Sequence, residues 1–598
     1  MIMIKRLFEN LLTVGISVMF MMPFAVTDRT ALAAADGNKN LNPGSTWVVN
    51  EVANLTSLTI AGGVMKAPEG YTLTMTVDGV ETAILPGDYK GKIVITPTED
   101  IPFADVSHGS KYNLRTAIYV DNGAIVPKKS VSAAVAGGKV TGNSAMDLSI
   151  TSIGKEFNGI ILTGDSKYSY SIINPKFNLT GDGANDFAGV GAAIMSNGNA
   201  DVTINNASII TNGCVRTAIW TAGHSTIHVN DSFIETGSPA LPEDYKDPFT
   251  EGGHAMMRVP FMLGLTGSCR STNLLEYGTA YYTNTRVKAH GWGAFSTDAG
   301  KGVKLYLTKC IIDVPESGYG VYSQGDASFS GCTFNVADVA MIGGGGNGVF
   351  TEGTVVNSGR FGVMFHGSGD HLIIDKGAVF NTKSTAIQLK SSGANIIVDN
   401  AQLNAENGII IQTMADDDPN KTGGASSEGA PAGAAPAAPV SEAPAPPAAA
   451  KSTDVNATFS NMTVKGDIVN GNTASGAVNV TFKKATITGA ITTAIVRNAL
   501  GPGGEKITMK TPHLYRLIGE VGNTYCETNN KFGVAVSLDA SSKWVVDKTS
   551  YLTAMTIADG AAITAPKGYA VTMTVDGVKT AIKAGDYKGK IVLTVAKS

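Results

Sequence analysis

The chain has 598 residues, of which 16% are charged and 70 are glycine, a composition typical of an all-β protein with many turns rather than a helical one. The formal net charge of -4 argues against a general nucleic-acid binder, which needs a basic surface to release counterions. Its 8 histidines and 5 cysteines are too few and too scattered for a metal-rich or disulfide-framed protein.

Residues 1–35 are predicted to be a secretory signal peptide. Lys5 and Arg6 precede an apolar run over residues 11–26, and small residues follow at Ala31, Ala33 and Ala35. A basic start, a short apolar stretch and an Ala-x-Ala site are typical of such a peptide, whereas a membrane anchor, the alternative, needs a longer run. We therefore expect a secreted or cell-surface protein with no membrane span after cleavage.

The two ends of the mature chain are predicted to be copies of one β-rich module. The segment TMTVDGV at 74–80 recurs at 572–578, and GDYKGK at 87–92 recurs at 585–590. Alternating polar and apolar residues broken by turn signals indicate short β-strands in a module at 36–100 and in a second copy that ends the 501–598 region. Such modules would close the open ends of a repeat structure or, alternatively, contact the cell wall.

Residues 101–500 are predicted to form a right-handed parallel β-helix. An apolar residue is followed five positions later by another, with a small residue at the third step. The pairs are Ile204/Ile209, Val229/Ile234, Tyr282/Val287, Leu307/Ile312, Phe329/Phe334, Phe350/Val355, Ile374/Val379, Val398/Leu403, Phe459/Val464 and Phe482/Ile487. Seven of the nine steps between pairs are 21–25 residues long, which predicts stacked coils that share one continuous core.

This coil length, the predicted parallel stacking and the secretion signal resemble the pectate-lyase-like superfamily of secreted right-handed parallel β-helix proteins. The resemblance covers roughly residues 150–500 and is at the level of the fold. Arg286-Val287-Lys288 is similar to the Arg-x-Lys element of polygalacturonases, but the preceding Asn-Thr-Asp and Asp-Asp elements are absent from the sequence. The resemblance implies the architecture and favours a polysaccharide lyase or a glycoside hydrolase, while the sequence carries no catalytic motif of a specific family.

Two steps of the repeat are much longer than the others. Residues 419–452 are dense in Ala and Pro and are predicted to be a disordered linker, because this composition buries too little apolar surface to fold. Residues 238–281 mix apolar, aromatic and titratable side chains and are predicted to be a lid-like insertion over the coil. An extra irregular turn with a short loop is the alternative for this second segment.

One outward-facing column of side chains is predicted to bind substrate. Aligning the second strand of each coil by its leading small residue places Trp220, Phe295, Tyr322 and Met364, here called the aromatic column, on the outer face. An exposed apolar stripe usually marks a contact site, and flat rings suit sugars or other planar ligands. The predicted polar neighbours are Gln324, Gln388, Lys390, Arg270, Asp298 and Asp326. The alternative is that the 238–281 insertion packs on the column and hides it.

Acid–base chemistry at this column requires groups that titrate near neutral pH. The candidates are His254, His290 and His366, with Tyr322 as a partner. Arg258 and Arg270 would hold a carboxylate of an acidic polysaccharide, which suits β-elimination. In the alternative, Asp298 and Asp326 would act as the paired acids of a glycosidase.

No cofactor and no metal are expected. Asp416, Asp417 and Asp418 offer oxygen ligands for Ca²⁺, but an acidic run beside a linker is more often simply solvated. Cys310 and Cys332 occupy equivalent steps of adjacent coils and are either buried small residues or a disulfide. Three functions stay open: a secreted enzyme that cleaves an acidic extracellular polysaccharide by elimination or hydrolysis, a non-catalytic adhesive surface protein, and an enzyme for a planar aromatic molecule.

Overall fold

The structure is a computed structural model that describes residues 37–105, 109–246, 256–298, 301–366, 370–418, 453–508 and 510–598. The predicted signal peptide, His254 and the predicted linker 419–452 therefore lie outside the described residues. Within them the chain is nearly all β-strand and winds as a right-handed parallel β-helix, which confirms the predicted fold class. None of its described helices is long and apolar enough to cross a membrane.

Three long sheets, here called sheets I, II and III, run along the coil. Sheet I consists, in spatial order, of Asn38–Leu41, Ala53–Ile60, Gly87–Glu99, Tyr71–Val77, Val80–Thr82, Ser149–Ser152, Lys176–Thr180, Ser208–Asn212, Phe233–Thr236, Arg286–Ala289, Ile311–Val314, Thr333–Val336, Val355–Ser358, Val379–Thr382 and Gln402–Ala405, with Val135–Ala136 beside Ser149–Ser152. Sheet II consists of Ala124–Ile125, Arg115–Asp121, Phe157–Thr163, Ile194–Gly198, Ile219–Gly223, Thr272–Leu274, Gly293–Thr297, Tyr319–Ser323, Val339–Gly343, Val363–His366, Ile387–Lys390, Ile409–Met414, Asp467–Asn470, Ile491–Asn498 and Val521–Tyr525.

Sheet III consists of Lys139–Val140, Ser144–Met146, Tyr168–Ile173, Ala200–Asn205, Thr226–Asn230, Thr279–Thr283, Lys304–Thr308, Asp326–Ser330, Asn347–Thr351, Asp370–Ile374, Ala394–Asp399, Val455–Ser460, Val478–Lys483, Val534–Leu538, Ser550–Ile557, Tyr569–Val575, Val578–Thr580 and Gly585–Lys597. Smaller sheets join Thr46–Val48 to Val64–Lys66, Pro102–Ala104 to Lys111–Asn113, and Thr463–Lys465 to Thr486–Thr488, Lys543–Val545 and Ala562–Thr564. Short 3₁₀ helices span Pro127–Lys129, Ser132–Ala134, Phe261–Leu263 and Pro512–Leu517.

The core is a set of inward columns that continue from coil to coil. In sheet I the parallel register sets Ile312 beside Phe334, Phe334 beside Val356, and Val356 beside Phe380. All four side chains are fully buried. Because parallel strands lie about 4.8 Å apart, each coil buries the apolar face that the next one leaves open.

Eight of the ten predicted apolar pairs point inward as expected. In the two coils that begin at Phe350 and Ile374, the turn holds one more residue, so Val356 and Phe380 take the inward positions instead of Val355 and Val379. The prediction for those two valines is wrong because an extra residue exchanges the faces of a strand.

The two end modules have the same internal structure. In the N-terminal copy, Ala53–Ile60 pairs antiparallel with Gly87–Glu99, and a register shift falls between Leu55 and Ser57. In the C-terminal copy, Ser550–Ile557 pairs with Gly585–Lys597, with the equivalent shift. The Asp78 carboxylate accepts a hydrogen bond from the Lys92 amide at 2.8 Å, and Asp576 does the same for Lys590.

Glycine is required beside that aspartate. A Cβ at Gly91 would lie 2.6 Å from a carboxylate oxygen of Asp78, and the φ of Gly91 is +120°. Gly589 and Asp576 repeat the arrangement, with 2.5 Å and +115°. The recurring Asp-Gly and Lys-Gly-Lys elements therefore encode one shared turn geometry.

The outer face of sheet II is covered by chain segments rather than by solvent. Residues 256–271 and 510–520 lie over it, and Phe261, Tyr515 and Ile518 pack together in a small apolar cluster. The insertion is shorter than predicted, because Thr272–Leu274 and Thr279–Thr283 are regular coil strands of sheets II and III. Of the remaining segment, residues 247–255 lie outside the described part of the chain.

Candidate binding groove

Three members of the predicted aromatic column do share the outward face of sheet II. The register places Tyr322 beside Ile342 and Ile342 beside Met364, and Trp220 lies further along the same face. However, Trp220 and Met364 are fully buried. Met364 packs in one cluster with Val259, Leu263 and Leu265 of the covering segment. The insertion therefore covers the Met364 end of the column, whereas Trp220 packs mainly with Ile101, Leu114 and Phe187.

Phe295 does not belong to this outward face. Its strand pairs Gly293 with Tyr319 and Phe295 with Val321, so the phenyl ring points into the core and packs edge-on against Tyr282 at 4.9 Å. The prediction of an outward Phe295 is wrong because aligning Gly293 with Gly320 shifted this coil by one residue. Ser296 takes the outward position beside Tyr322.

The polar residues predicted beside the column, Gln324 and Gln388, contact other side chains of the protein. Gln324 donates to the Tyr322 hydroxyl at 3.1 Å, and burial raises the pKa of that phenol. Gln388 is fully buried and its amide contacts the sulfur of Met414 at 2.9 Å. A buried tyrosine with a raised pKa is a poor general base near neutral pH.

The Arg270 guanidinium is buried and lies between two carboxylates. Its Nε donates to Asp186 at 2.5 Å and its Nη1 to Asp298 at 2.6 Å, while the rings of Phe187 and Trp292 lie against its faces. Burial raises the pKa of Asp186, although the guanidinium acts in the opposite direction. Arg270 therefore pairs with Asp186 and Asp298 inside the protein, while Arg270 Nη2 and Asp186 Oδ1 have no hydrogen-bond partner among the described residues.

The two carboxylates predicted as a glycosidase pair border the turns between sheets II and III in adjacent coils. Asp326 begins a strand of sheet III, and its carboxylate accepts a hydrogen bond from Asn347 at 2.6 Å. Asp298 follows a strand of sheet II, so the two carboxylates are on different sheets. The glycosidase pairing of Asp298 and Asp326 stays a prediction.

His366, Lys390 and the acidic run form a separate buried cluster. Lys390 Nζ lies 2.7 Å from Asp417, and His366 Nε2 lies 4.0 Å from Asp416. The Lys390 ammonium group thus lies against Asp416 and Asp417, the aspartates that could have offered oxygen ligands to Ca²⁺. The described residues contain no group of three or more potential metal ligands, and Cys310 and Cys332 are free thiols.

Arg258 and His290, in contrast, do line a common cavity. Its volume is about 460 Å³, and Ser238, Glu316 and Tyr515 also line it. His290 Nε2 lies 2.8 Å from Glu235 and its Nδ1 2.9 Å from Glu316. These two hydrogen bonds raise the pKa of His290 above its ordinary value.

The His290 contacts predict a pH-dependent contribution to stability. The raised pKa means that the contribution is complete below the unfolded value of about 6.5 and is lost as pH rises through the folded value. We expect His290→Gln to lower the free energy of unfolding by about 0.5–1 kcal/mol near pH 5.5 and by little near pH 9. Urea titrations at both pH values test this, with the exposed His371→Gln as control. A loss that grows with pH would contradict the assignment.

A larger groove runs along the outer face of sheet I. Its volume is about 1520 Å³, and it spans several coils. Representative lining residues are Arg286, Asp313, Asn335, Asn357, Asn381, Lys383, Asn404, Lys465, Asp467, Asp547 and Lys548. No aromatic side chain is among the described residues that line it, so it offers hydrogen bonds rather than ring faces.

A ladder of side-chain amides forms the floor of this groove. Each amide nitrogen donates to the oxygen on the preceding coil at 2.9–3.0 Å. The ladder consists of Asp313, Asn335, Asn357, Asn381 and Asn404. One primary amide has two N–H groups and an oxygen with two lone pairs, so each rung keeps hydrogen-bonding capacity for a ligand.

The cations of the groove are balanced by carboxylates. Arg286 pairs with Asp313 at 2.7 Å, and Lys383 pairs with Glu406. The groove therefore presents hydroxyl-binding groups and paired charges, rather than an open positive patch for an anionic ligand.

Two aspartates lie at the far end of the groove. Asp467 is buried and accepts hydrogen bonds from the Tyr525 hydroxyl at 2.5 Å and from Lys548 Nζ at 2.6 Å. Partial desolvation raises the pKa of Asp547, which Lys548 opposes, and the nearby Asp467 carboxylate acts in the same direction as the desolvation. This end of the groove thus contains a carboxyl group, Asp547, whose pKa is raised.

The sequence did contain a signal for the ladder. Positions 313, 335, 357, 381 and 404 follow the coil period, and each comes directly after an inward apolar residue such as Phe334 or Phe380. Searching the outward strand positions for a recurring polar residue type would have found them. No family model matches the chain, and no curated protein matches it in sequence.

Proposed function

We propose that the protein binds an extracellular polysaccharide in the groove of sheet I. The observation that carries the proposal is the continuous ladder from Asp313 to Asn404, in which four asparagines repeat the same donor and acceptor from coil to coil. Sugar hydroxyls both donate and accept, so an extended glycan can match such an array over many residues. The predicted secretion signal and the resemblance to pectate-lyase-like proteins agree with a glycan ligand, and we propose that kinship also.

Binding is expected to depend on the middle rungs. In the double variant Asn357→Ala and Asn381→Ala, the affinity for the glycan should fall about tenfold or more, since one lost hydrogen bond corresponds to roughly 1 kcal/mol. Isothermal titration against a panel of neutral and uronic polysaccharides identifies the ligand and then measures the change.

Sheet III supplies a matched control. Asn395, Asn456 and Asn479 form an exposed amide ladder of the same kind outside the groove. The double variant Asn456→Ala and Asn479→Ala should leave glycan affinity unchanged. Equal losses in both double variants, or no binding to any glycan in the panel, would contradict the proposal.

Cleavage of the bound glycan is the second candidate. It is favoured by Asp547, whose raised pKa suits a general acid, beside the Asp467 carboxylate, which lies 2.6 Å from Lys548 Nζ. Asp547→Asn should then abolish the release of reducing or unsaturated ends while leaving affinity intact. Binding without any turnover by the unmodified protein would leave the adhesive function and remove the enzymatic one.

A further inference from the structure

A buried lysine lies against two aspartates at the edge of sheet II. The Lys390 side chain is 0% exposed, and its Nζ is 2.7 Å from Asp417 Oδ1 and 3.8 Å from Asp416 Oδ1. Lys390 ends the strand Ile387–Lys390, and the aspartates follow the neighbouring strand Ile409–Met414. Adjacent coils thus set an amine and a carboxyl group in contact.

The surroundings of this contact resemble those of an acyl-transfer site. The Gly519 amide donates to Asp417 Oδ2 at 2.7 Å, so a backbone N–H already polarises the carboxyl group on the side away from the lysine. The Met262 carbonyl accepts from Lys390 Nζ at 3.4 Å. The Asp417 side chain is only 4% exposed, so the reacting groups are shielded from bulk water.

We propose that Lys390 and Asp417 join spontaneously in an intramolecular isopeptide bond. The ammonium and the carboxylate become one amide and one molecule of water, so the reaction needs no oxidant, reductant or activating co-reactant. Fixing the two groups in contact replaces a bimolecular encounter.

The neighbouring residues can carry out the proton transfers and stabilise the charge that amide formation requires. Proton transfer within the pair gives an amine and a carboxylic acid, and the Nζ lone pair then attacks Cγ of Asp417. The negative charge that develops on Oδ2 is stabilised by the Gly519 amide. Asp416 accepts the remaining proton from nitrogen and delivers it to Oδ1, which leaves as water when the C–O bond breaks.

The bond would join two neighbouring coils. A cross-link between residues 390 and 417 closes a loop across two coils and so restricts the unfolded chain, as a disulfide does.

Digestion of the denatured protein tests the bond directly. Trypsin should fail at Lys390 and release 384–421 as one peptide lacking one water, instead of the peptides 384–390 and 391–421. Cleavage after Glu406, the only glutamate in this stretch, should then leave 384–406 and 407–421 joined. A simple dehydration of one aspartate or asparagine would not hold these two fragments together. Recovery of only the separate fragments from folded protein would overturn the proposal.

Variants separate the roles of the three residues. Lys390→Arg and Asp417→Ala should abolish the joined fragments, and Asp416→Asn should reduce their yield at least tenfold over the same time. The pair of Lys548 and Asp467, in which Nζ lies 2.6 Å from the carboxylate but the lysine is half exposed, is the internal control and should stay unlinked. Circular dichroism establishes that each variant is folded. Complete cross-linking in Asp416→Asn would overturn the proton-transfer role given to that residue.

Discussion

Replacing Arg270 by methionine is expected to lower the free energy of unfolding by roughly 3–5 kcal/mol, because it leaves a buried carboxylate without its partner. Asp186 is 1% exposed and its contact with Arg270 is 2.5 Å long. Burial already raises the pKa of Asp186, so removing the guanidinium removes the group that opposes this shift. Urea unfolding followed by far-UV circular dichroism measures the loss.

A comparison with Arg258→Met distinguishes a structural arginine from a ligand-binding one. Arg258 lies in the same covering segment but is half-buried and lines the 460 Å³ cavity. We expect a clearly smaller loss of stability for this variant, and glycan affinity close to that of the unmodified protein for both. If Arg270→Met kept its stability but lost glycan binding, Arg270 would be a ligand-binding residue as the sequence suggested.

Trp220→Ala is expected to destabilise the fold by roughly 3–5 kcal/mol, the usual cost of removing a buried tryptophan. The indole is fully buried, its N–H donates to the Asp186 carbonyl at 2.7 Å, and Phe103 packs edge-on against it at 5.9 Å. Trp220→Phe should lose less, because it keeps an aromatic ring and gives up mainly the hydrogen bond.

The half-buried Trp47 of the N-terminal module serves as the control for this prediction. Trp47→Ala should lose less stability than Trp220→Ala under the same denaturant titration. Glycan affinity of folded Trp220→Ala should match the unmodified protein, since the residue lies outside the groove. A stable Trp220→Ala variant that no longer binds glycan would restore the aromatic column as the binding surface.

The architecture was predictable because the inward pattern has a strict physical origin. Each coil must present apolar residues at fixed positions to close the core of its neighbour, so Ile312, Phe334 and Leu403 recur at the coil period. The exceptions, Val355 and Val379, follow a single extra turn residue each, which a search with fixed spacing does not allow for.

The outward positions were harder to predict because they depend on the exact length of each turn and on packing against segments that are distant in sequence. A one-residue difference in the turn before Gly293 sent Phe295 inward, and sequence spacing alone does not show which turn is longer. The covering of these outward residues depends on segments distant in sequence: Ile101 and Phe187 pack with Trp220, and Val259 and Leu263 pack with Met364. Outward apolar residues in a β-helix therefore indicate either a ligand surface or a packing surface, and only the tertiary structure decides between them.

Hydrogen exchange with and without saturating glycan tests most directly which surface the protein uses. We predict slower amide exchange on binding in Thr333–Val336, Val355–Ser358, Val379–Thr382 and Gln402–Ala405, the sheet I strands under the groove. Protection confined to residues 256–271 and to the sheet II strands beneath them would contradict a groove-binding protein.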